Sequence, residues 1–483
     1  NVTLKKGKTL EEDFEIEEDA IALDGVVVSA NRSETTRRMA PTLVNVVDLK
    51  LFETTNSSTL SQGLNFQPGV RVETNCQNCG FQQVRINGLD GPYTQILIDS
   101  RPVFSALSGV YGLEQIPASM IERVEVMRGG GSALFGSSAI AGTINIITKE
   151  PLRNSGQLSH TITSLGGSSS FDNNTSLNAS LVTDDHRAGL YIFGQNRYRS
   201  GYDYDGDGFT ELPKLKNQTV GFRSYLKTST YSKLTFEYHH MQEFRRGGDM
   251  LNRPPHEAHI AEQLQHSIDG GSLKFDYFSP DEKNRLSVFA SAANTDRDSY
   301  YGPGNDPLKA YGKTTDLTAM GGAQYVHTFD KCFFMPSDLT AGLEYNRDRL
   351  KDNMWGYNRH TDQTVNIYSA FLQNEWKNDR WGILIGGRLD KHNMVDNVIF
   401  SPRANLRFNP TQNINLRLSY SSGFRAPQAF DEDMHIENVG GTVAMIERAK
   451  DLKEEKSQSF SVSADMYLSL IHISEPTRLR RIS

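Results

Sequence analysis

The chain has 483 residues, 37% of them hydrophobic and 23% charged, with a formal net charge of −7 at neutral pH. Its mean hydropathy is negative and no run of about 18 or more apolar residues occurs, which excludes membrane-spanning helices. The modest acidity, without a basic cluster, argues against nucleic acid as a partner, whereas a barrel whose strands face lipid on alternate residues fits within such a composition.

Residues 1–23 scatter Val2, Leu4, Phe14 and Ile16 among charges. Next comes Asp24-Gly25-Val26-Val27-Val28-Ser29-Ala30, where three β-branched residues in a polar, mobile stretch suit strand addition to a partner's sheet edge. An ordinary strand or linker is the competing reading. Downstream stand Pro68-Gly69-Val70, Val84-Arg85-Ile86-Asn87-Gly88 and Leu97-Ile98-Asp99. Strand character then runs from Ile121 to Arg128, is broken by Gly129, Gly130 and Gly131, and resumes from Gly142 to Thr148. The glycine run lacks the Lys-Ser/Thr end of a P-loop and the downstream acid of a dinucleotide fingerprint.

From about residue 157 apolar and polar residues alternate. Leu234, Phe236, Tyr238 and His240 oppose Thr235, Glu237 and His239; Ile414, Leu416, Leu418 and Tyr420 oppose Asn415, Arg417, Ser419 and Ser421. A soluble sandwich also alternates, so connection length decides. Tight turns at 183–186, 228–232, 279–284, 378–380 and 409–413 alternate with long polar connections at 199–217, 245–269, 296–315 and 351–364, the pattern of an outer-membrane barrel. This predicts roughly fourteen strands, against about 22 in plugged outer-membrane transporters. After the last alternating segment, residues 469–483 become basic and lose strand character.

The segments Pro68–Val70, Val84–Gly88, Leu97–Asp99, Ile121–Gly131 and Phe135–Lys149 closely resemble the plug domain of TonB-dependent outer-membrane transporters, worded PGV, IRG, LVDG, IERVEVLRGP and LYGSxAIGGVINIITK. This chain departs at Asn87, Ser100 and Gly130. The resemblance implies a mixed α+β plug domain inside an all-β antiparallel transmembrane barrel in the outer membrane of a Gram-negative bacterium. Residues 24–30 are then the TonB box, 31–152 the plug and 153–468 a partial barrel. Residues 1–23 resemble the end of a carboxypeptidase-regulatory-like β-sandwich, a charged linker being the alternative. Residues 469–483 look like translated sequencing adapter, with a genuine polar tail as the alternative.

By the same resemblance, Arg85 and Arg128 are plug arginines that lock onto the barrel acids Glu344 and Glu375, the guanidinium pairing bidentately with carboxylate. Outward plug loops offer Gln77, Asn78, Tyr93, Phe104 and Tyr111 for contact with a large, partly planar substrate. In an exported chain Cys76 and Cys79 are expected to form a local disulfide rather than half of a zinc site, because no second C-x-x-C or His pair follows. Asp203, Asp205 and Asp207, with Gly208, read D-x-D-x-D-G, and Glu211 stands in for the missing bidentate acid of a calcium loop; a solvated acidic turn is the other reading.

The function implied is import of a scarce metal chelate (ferric siderophore, haem or cobalamin) with energy delivered by TonB and ExbB/ExbD. No required cofactor and no enzymatic constellation is expected. Competing classes are a SusC-like glycan importer working with a surface lipoprotein, a signal-transducing receptor and a passive porin.

Overall fold

Residues near the N-terminus fold into a small unit built around a four-stranded mixed sheet. The computed structural model describes residues 26–30, 32–76, 78–102, 113–303, 310–411, 413–439, 442–449 and 451–466. Strand β1 (Val26–Val27) pairs with β2 (Thr35–Thr36), and β4 (Val70–Cys76) pairs with β5 (Phe81–Ile86). The central sheet orders β3 (Val44–Asp48), β7 (Ile121–Arg128), β8 (Gly142–Thr148) and β6 (Thr94–Ile98), with β6 parallel to β8 and the other pairs antiparallel. Near-continuous burial along β7 and β8 explains their β-branched composition: Val124, Val126, Ile144 and Ile146 pack with Phe52, Leu60, Leu64 and Ile86. Ser100, where the family wording has glycine, takes a left-handed φ of 66° after Asp99 at 47°.

Fourteen strands form a second, antiparallel sheet in chain order. They are β9 (Ser155–Ser164), β10 (Phe171–Val182), β11 (Ala188–Arg199), β12 (Lys214–Ser229), β13 (Ser232–Gly248), β14 (Ile260–Phe278) and β15 (Asn284–Pro303). These continue into β16 (Tyr311–Cys332), β17 (Met335–Met354), β18 (Arg359–Lys377), β19 (Trp381–His392), β20 (Ile399–Thr411) and β21 (Ile414–Arg425). After a short hairpin of β22 (Glu437–Val439) and β23 (Thr442–Ala444), β24 (Glu455–Met466) pairs back onto β21.

The alternation sorts residues as expected of a barrel wall. On β21 Leu416 and Leu418 are 40% and 50% exposed on the outer face, whereas Asn415 and Arg417 are 1% and 3% exposed towards the plug. All five expected tight turns connect neighbouring strands. Two of the expected long connections are much shorter than the sequence suggests, residues 249–259 and 355–358, and within the span of a third β15 runs on to Pro303 and β16 begins at Tyr311. Strands such as β14 and β15 continue past the apolar belt, and there Gln263, Gln265, Asp296 and Asp298 are polar residues within a ladder rather than loop residues. Among the described residues β9 and β24 each pair on one side only, and both are exposed along most of their length.

Candidate functional site

The first unit lies within the curve of the second, and what holds it there is mostly arginine. Glu344 of β17 bridges two guanidinium groups, Arg32 at 2.5 Å and Arg388 of β19 at 2.6 Å, and all three side chains are buried. Both arginines also donate to the Leu134 carbonyl at 3.2 Å, in the short helix Ser132–Phe135 that follows the glycine run. Arg388 is steadied in turn by Asp390 at 2.8 Å, and the Arg32 guanidinium stacks 4.9 Å from the Phe371 ring.

A second tie centres on Glu114, which accepts from Arg245 (2.7 Å), Arg199 (3.1 Å) and Arg197 (3.4 Å) of the barrel wall. Burial alone would push its carboxyl up, yet Arg199, Arg245 and Arg197 together hold it down at about 2. A third joins Asp99 to Arg223 of β12 at 2.6 Å, with Glu237 of β13 on the same guanidinium at 2.5 Å. Other barrel side chains grip plug backbone: Arg403 bonds the Ala30 carbonyl (2.8 Å), and Arg417 those of Arg37 (2.9 Å) and Ala40 (3.0 Å).

This arrangement corrects the expected lock. Arg85 pairs within the plug, with Glu73 and Asp90 at 2.5 Å each, and Arg128 donates to the Pro68 carbonyl. The reason for Arg85 lies in the hairpin: β4 sets Glu73 opposite Gln83, diagonal to Arg85 and within reach of it, and the Ile-Arg-Gly wording falls on Ile86-Asn87-Gly88, so the arginine's place holds Asn87. Glu344 is a lock residue but closes on Arg32, which the sequence reading passed over. Glu375 is buried on β18 and acts electrostatically on Arg403 and Arg407 of β20.

The segment expected to pair with TonB is only partly described, Asp24 and Gly25 lying outside the described residues. Val26, Val27, Val28, Ser29 and Ala30 are docked rather than mobile: Val27 and Ala30 are buried against Ala40 and Val44. The backbone N–H groups of Val28 (2.9 Å) and Ser29 (2.8 Å) and the Ser29 hydroxyl (2.7 Å) all donate to Glu125 Oε2. A valine that suits edge pairing also suits burial, as Val27 shows, and the fully buried Glu125 takes up the amides of Val28 and Ser29.

Of the expected substrate contacts, Gln77, Phe104 and Tyr111 lie outside the described residues. Asn78 runs with its backbone against Gly247 of the barrel wall, where a Cβ at 247 would meet the Asn78 carbonyl. Tyr93 is half-buried; its carbonyl accepts from Ile140 and Ala141 (3.1 and 2.8 Å) and its ring lies 5.9 Å from the Arg425 guanidinium. A cavity of about 180 Å³ separates plug from wall between Gln95, Asn346 and Arg388. A second cavity, of about 350 Å³, lies between plug and wall among Arg123, Glu237 and Gln324.

The expected Cys76–Cys79 disulfide is absent: both residues are thiols. The Cys76 thiol meets Glu262 and the Cys79 thiol meets His435, each at 3.3 Å. A hydrogen bond from Cys79 brings the Cys76 thiol down to about 6 against the effect of burial. In the acidic loop Asp203, Asp205 and Glu211 bring carboxylate oxygens within 4.8 Å of one another. Asp207 stays out of that group and accepts the Phe209 N–H at 2.8 Å, because the tight turn directs it to the backbone.

Residues 36–143 match the model of the TonB-dependent receptor plug domain, and residues 145–471 that of the TonB-dependent receptor-like β-barrel. The chain belongs to the TonB-dependent receptor family. The receptor is 24% identical over 425 residues to the vitamin B12 transporter BtuB of Vibrio vulnificus strain CMCP6, an alignment covering 84% of this chain and 64% of the relative. It thus spans less than two thirds of that relative's length. Strain YJ016 has a BtuB 33% identical over 174 residues, covering 35% of the receptor and 28% of the relative. In fold, the receptor resembles the siderophore receptor PirA of Acinetobacter baumannii, with TM-score 0.75 and 18% identity over 89% of this chain and 69% of that one. A ferric enterobactin receptor, PfeA of Pseudomonas aeruginosa, gives TM-score 0.73 and 18% identity over 89% and 70%. The receptor's strands are those of an outer-membrane barrel of Gram-negative type, and among its described residues no helix is long and apolar enough to cross a membrane.

Proposed function

We propose that the receptor captures a scarce metal chelate of the cobalamin, ferric-siderophore or haem class and imports it across the outer membrane with energy delivered by TonB and ExbB/ExbD. The observation that carries this reading is the plug, seated against the barrel wall by buried ion pairs. A solute bound at nanomolar affinity is held by about 12 kcal/mol, so its release past such a plug needs work from outside. The docked box is the handle for that work: Val27 and Ala30, now buried against Ala40 and Val44, must be drawn out for the segment to pair with a partner strand. The similarity to a vitamin B12 transporter supports the chelate class. A diffusion pore is disfavoured because nothing in a pore calls for a plug tied in place by charge, and the role is that of an importer and not of an enzyme.

The test is uptake of labelled cobalamin, ferric siderophores and haem by cells whose own receptors for these solutes are deleted, with TonB present and absent. Accumulation of one chelate that disappears without TonB, while surface binding persists, is the expected result. Uptake of oligosaccharides alone, or accumulation indifferent to TonB, would overturn the reading.

A further inference from the structure

The two thiols of the Cys-x-x-Cys turn belong to a buried cluster that the family reading leaves unused. Cys76 and Cys79 lie in the hairpin between β4 and β5, in a turn closed by Gly80 N–H to the Cys76 carbonyl (3.0 Å), with Gly80 at φ 69°. Glu262 sits near the outer start of β14, and His435 in the connection after β21. Cys76 Sγ lies 3.3 Å from Glu262 Oε2, Cys79 Sγ 3.3 Å from His435 Nε2, and His435 Nε2 3.3 Å from Glu262 Oε2. One donor atom from each of the four residues falls within 4.8 Å of all the others.

Those separations are close to the edges of a tetrahedron. With zinc bonds of about 2.3 Å to sulfur and about 2.0–2.1 Å to nitrogen or oxygen, the donors of one ion stand about 3.3–3.8 Å apart. The surroundings are apolar: Phe81, Leu264, Tyr301, Met354 and Ile436 pack around the group, and the rings of Phe81 and Tyr301 each lie 5.3 Å from the His435 ring. Cys79, Glu262 and His435 are buried there, so an ion held among them would be shielded from water.

We propose that Cys76, Cys79, Glu262 and His435 bind one zinc-class cation at the junction of plug and barrel. Two sulfurs, one imidazole nitrogen and one carboxylate oxygen suit zinc, and thiolate donors disfavour calcium or magnesium. On binding, each thiol gives up its proton to solvent, so two thiolates and a carboxylate face the divalent charge. Because the ligands come from the plug hairpin, a barrel strand and an outer connection, the ion ties three parts together. Coordination tolerates only a few tenths of an ångström, so withdrawal of the hairpin from β14 breaks the site and frees the ion. The site does not depend on which solute the receptor imports.

Receptor purified in detergent, stripped by chelator under reducing conditions and dialysed against zinc is expected to retain one zinc per chain by elemental analysis. Cobalt in its place should show thiolate-to-metal charge transfer and the intense visible bands of tetrahedral geometry. The double variant Cys76→Ser/Cys79→Ser and, separately, His435→Ala should each weaken zinc binding by more than about tenfold, with heat-modified gel migration showing that the barrel still forms. Glu262→Gln should keep the charge-transfer band and bind more weakly. Unchanged zinc content in the double cysteine variant or in His435→Ala, an octahedral cobalt spectrum, or a Cys76–Cys79 disulfide that forms in air and excludes metal would overturn the assignment.

Discussion

Ser29 gives both its backbone N–H and its hydroxyl to a single carboxylate oxygen of Glu125, at 2.8 and 2.7 Å, across 96 residues of chain. Asn145 adds a bond to the same hydroxyl at 3.0 Å. The strand that the proposed import mechanism must release is therefore fastened to the centre of the plug sheet. Hydrogen bonds to a charged acceptor contribute about 1.5–3 kcal/mol, so Glu125→Gln should speed amide exchange at Val28 and Ser29 by roughly tenfold or more. The control is Glu122→Gln, whose side chain is exposed and pairs with Arg123; exchange at residues 28 and 29 should not change.

Glu344 is predicted to matter far more than either of the arginines first expected to lock the plug. Glu344→Ala strips the carboxylate from two buried guanidinium groups, and breaking a buried pair in this way costs about 3–5 kcal/mol. Arg85→Ala removes a partly exposed pair and should cost about 1 kcal/mol or less. Denaturant unfolding of the receptor in micelles, followed by a probe in the plug, distinguishes the two; equal costs would rule out the Arg32–Glu344–Arg388 tie.

Acid should loosen the plug through Glu114. Its carboxyl is held at about 2, below an ordinary value of 4.5, so the unfolded state binds the proton first as pH falls. The stabilisation is complete above about pH 4.5, on the order of 3 kcal/mol, and is lost as pH drops through about 2. Glu114→Gln should lower stability at neutral pH and flatten the acid branch of the stability curve. An acid branch as steep as that of the parent protein would assign the pH dependence to other carboxylates.

Gly142 opens β8 where there is no room for a side chain. A Cβ there would meet the Met127 carbonyl oxygen at 2.3 Å, and that atom belongs to the neighbouring strand's backbone and cannot swing aside. Gly142→Ala should cost about 1–3 kcal/mol of plug stability, read by thermal unfolding. Gly156→Ala on β9, where the nearest atom is 3.9 Å away, should be close to neutral.

The strands were legible because period-two alternation is local: Leu416, Arg417 and Leu418 declare their faces without reference to anything else. Strand ends were not, since above the apolar belt both faces are polar and residues such as Gln265 and Asp298 look like loop. Plug-to-barrel pairing was misread for a different reason. It depends on how two units sit against each other, which no spacing in the chain encodes, so Arg32 was missed although it stands two residues after the box. Arg197 and Arg199 did leave a trace, two arginines at strand spacing and hence on one face. The cysteine cluster left none: its glutamate and histidine lie 186 and 356 residues from the thiols they meet.

Several barrel side chains hold the plug by its peptide carbonyls, those of Ala30, Arg37, Ala40 and Leu134 among them. A carbonyl is the same acceptor whatever residue bears it. Substitution at positions 30, 37, 40 or 134 therefore leaves the acceptor in place so long as the main chain keeps its path. At these points selection on the plug acts on backbone course, and receptors with divergent plug sequences can keep the same arginine grips.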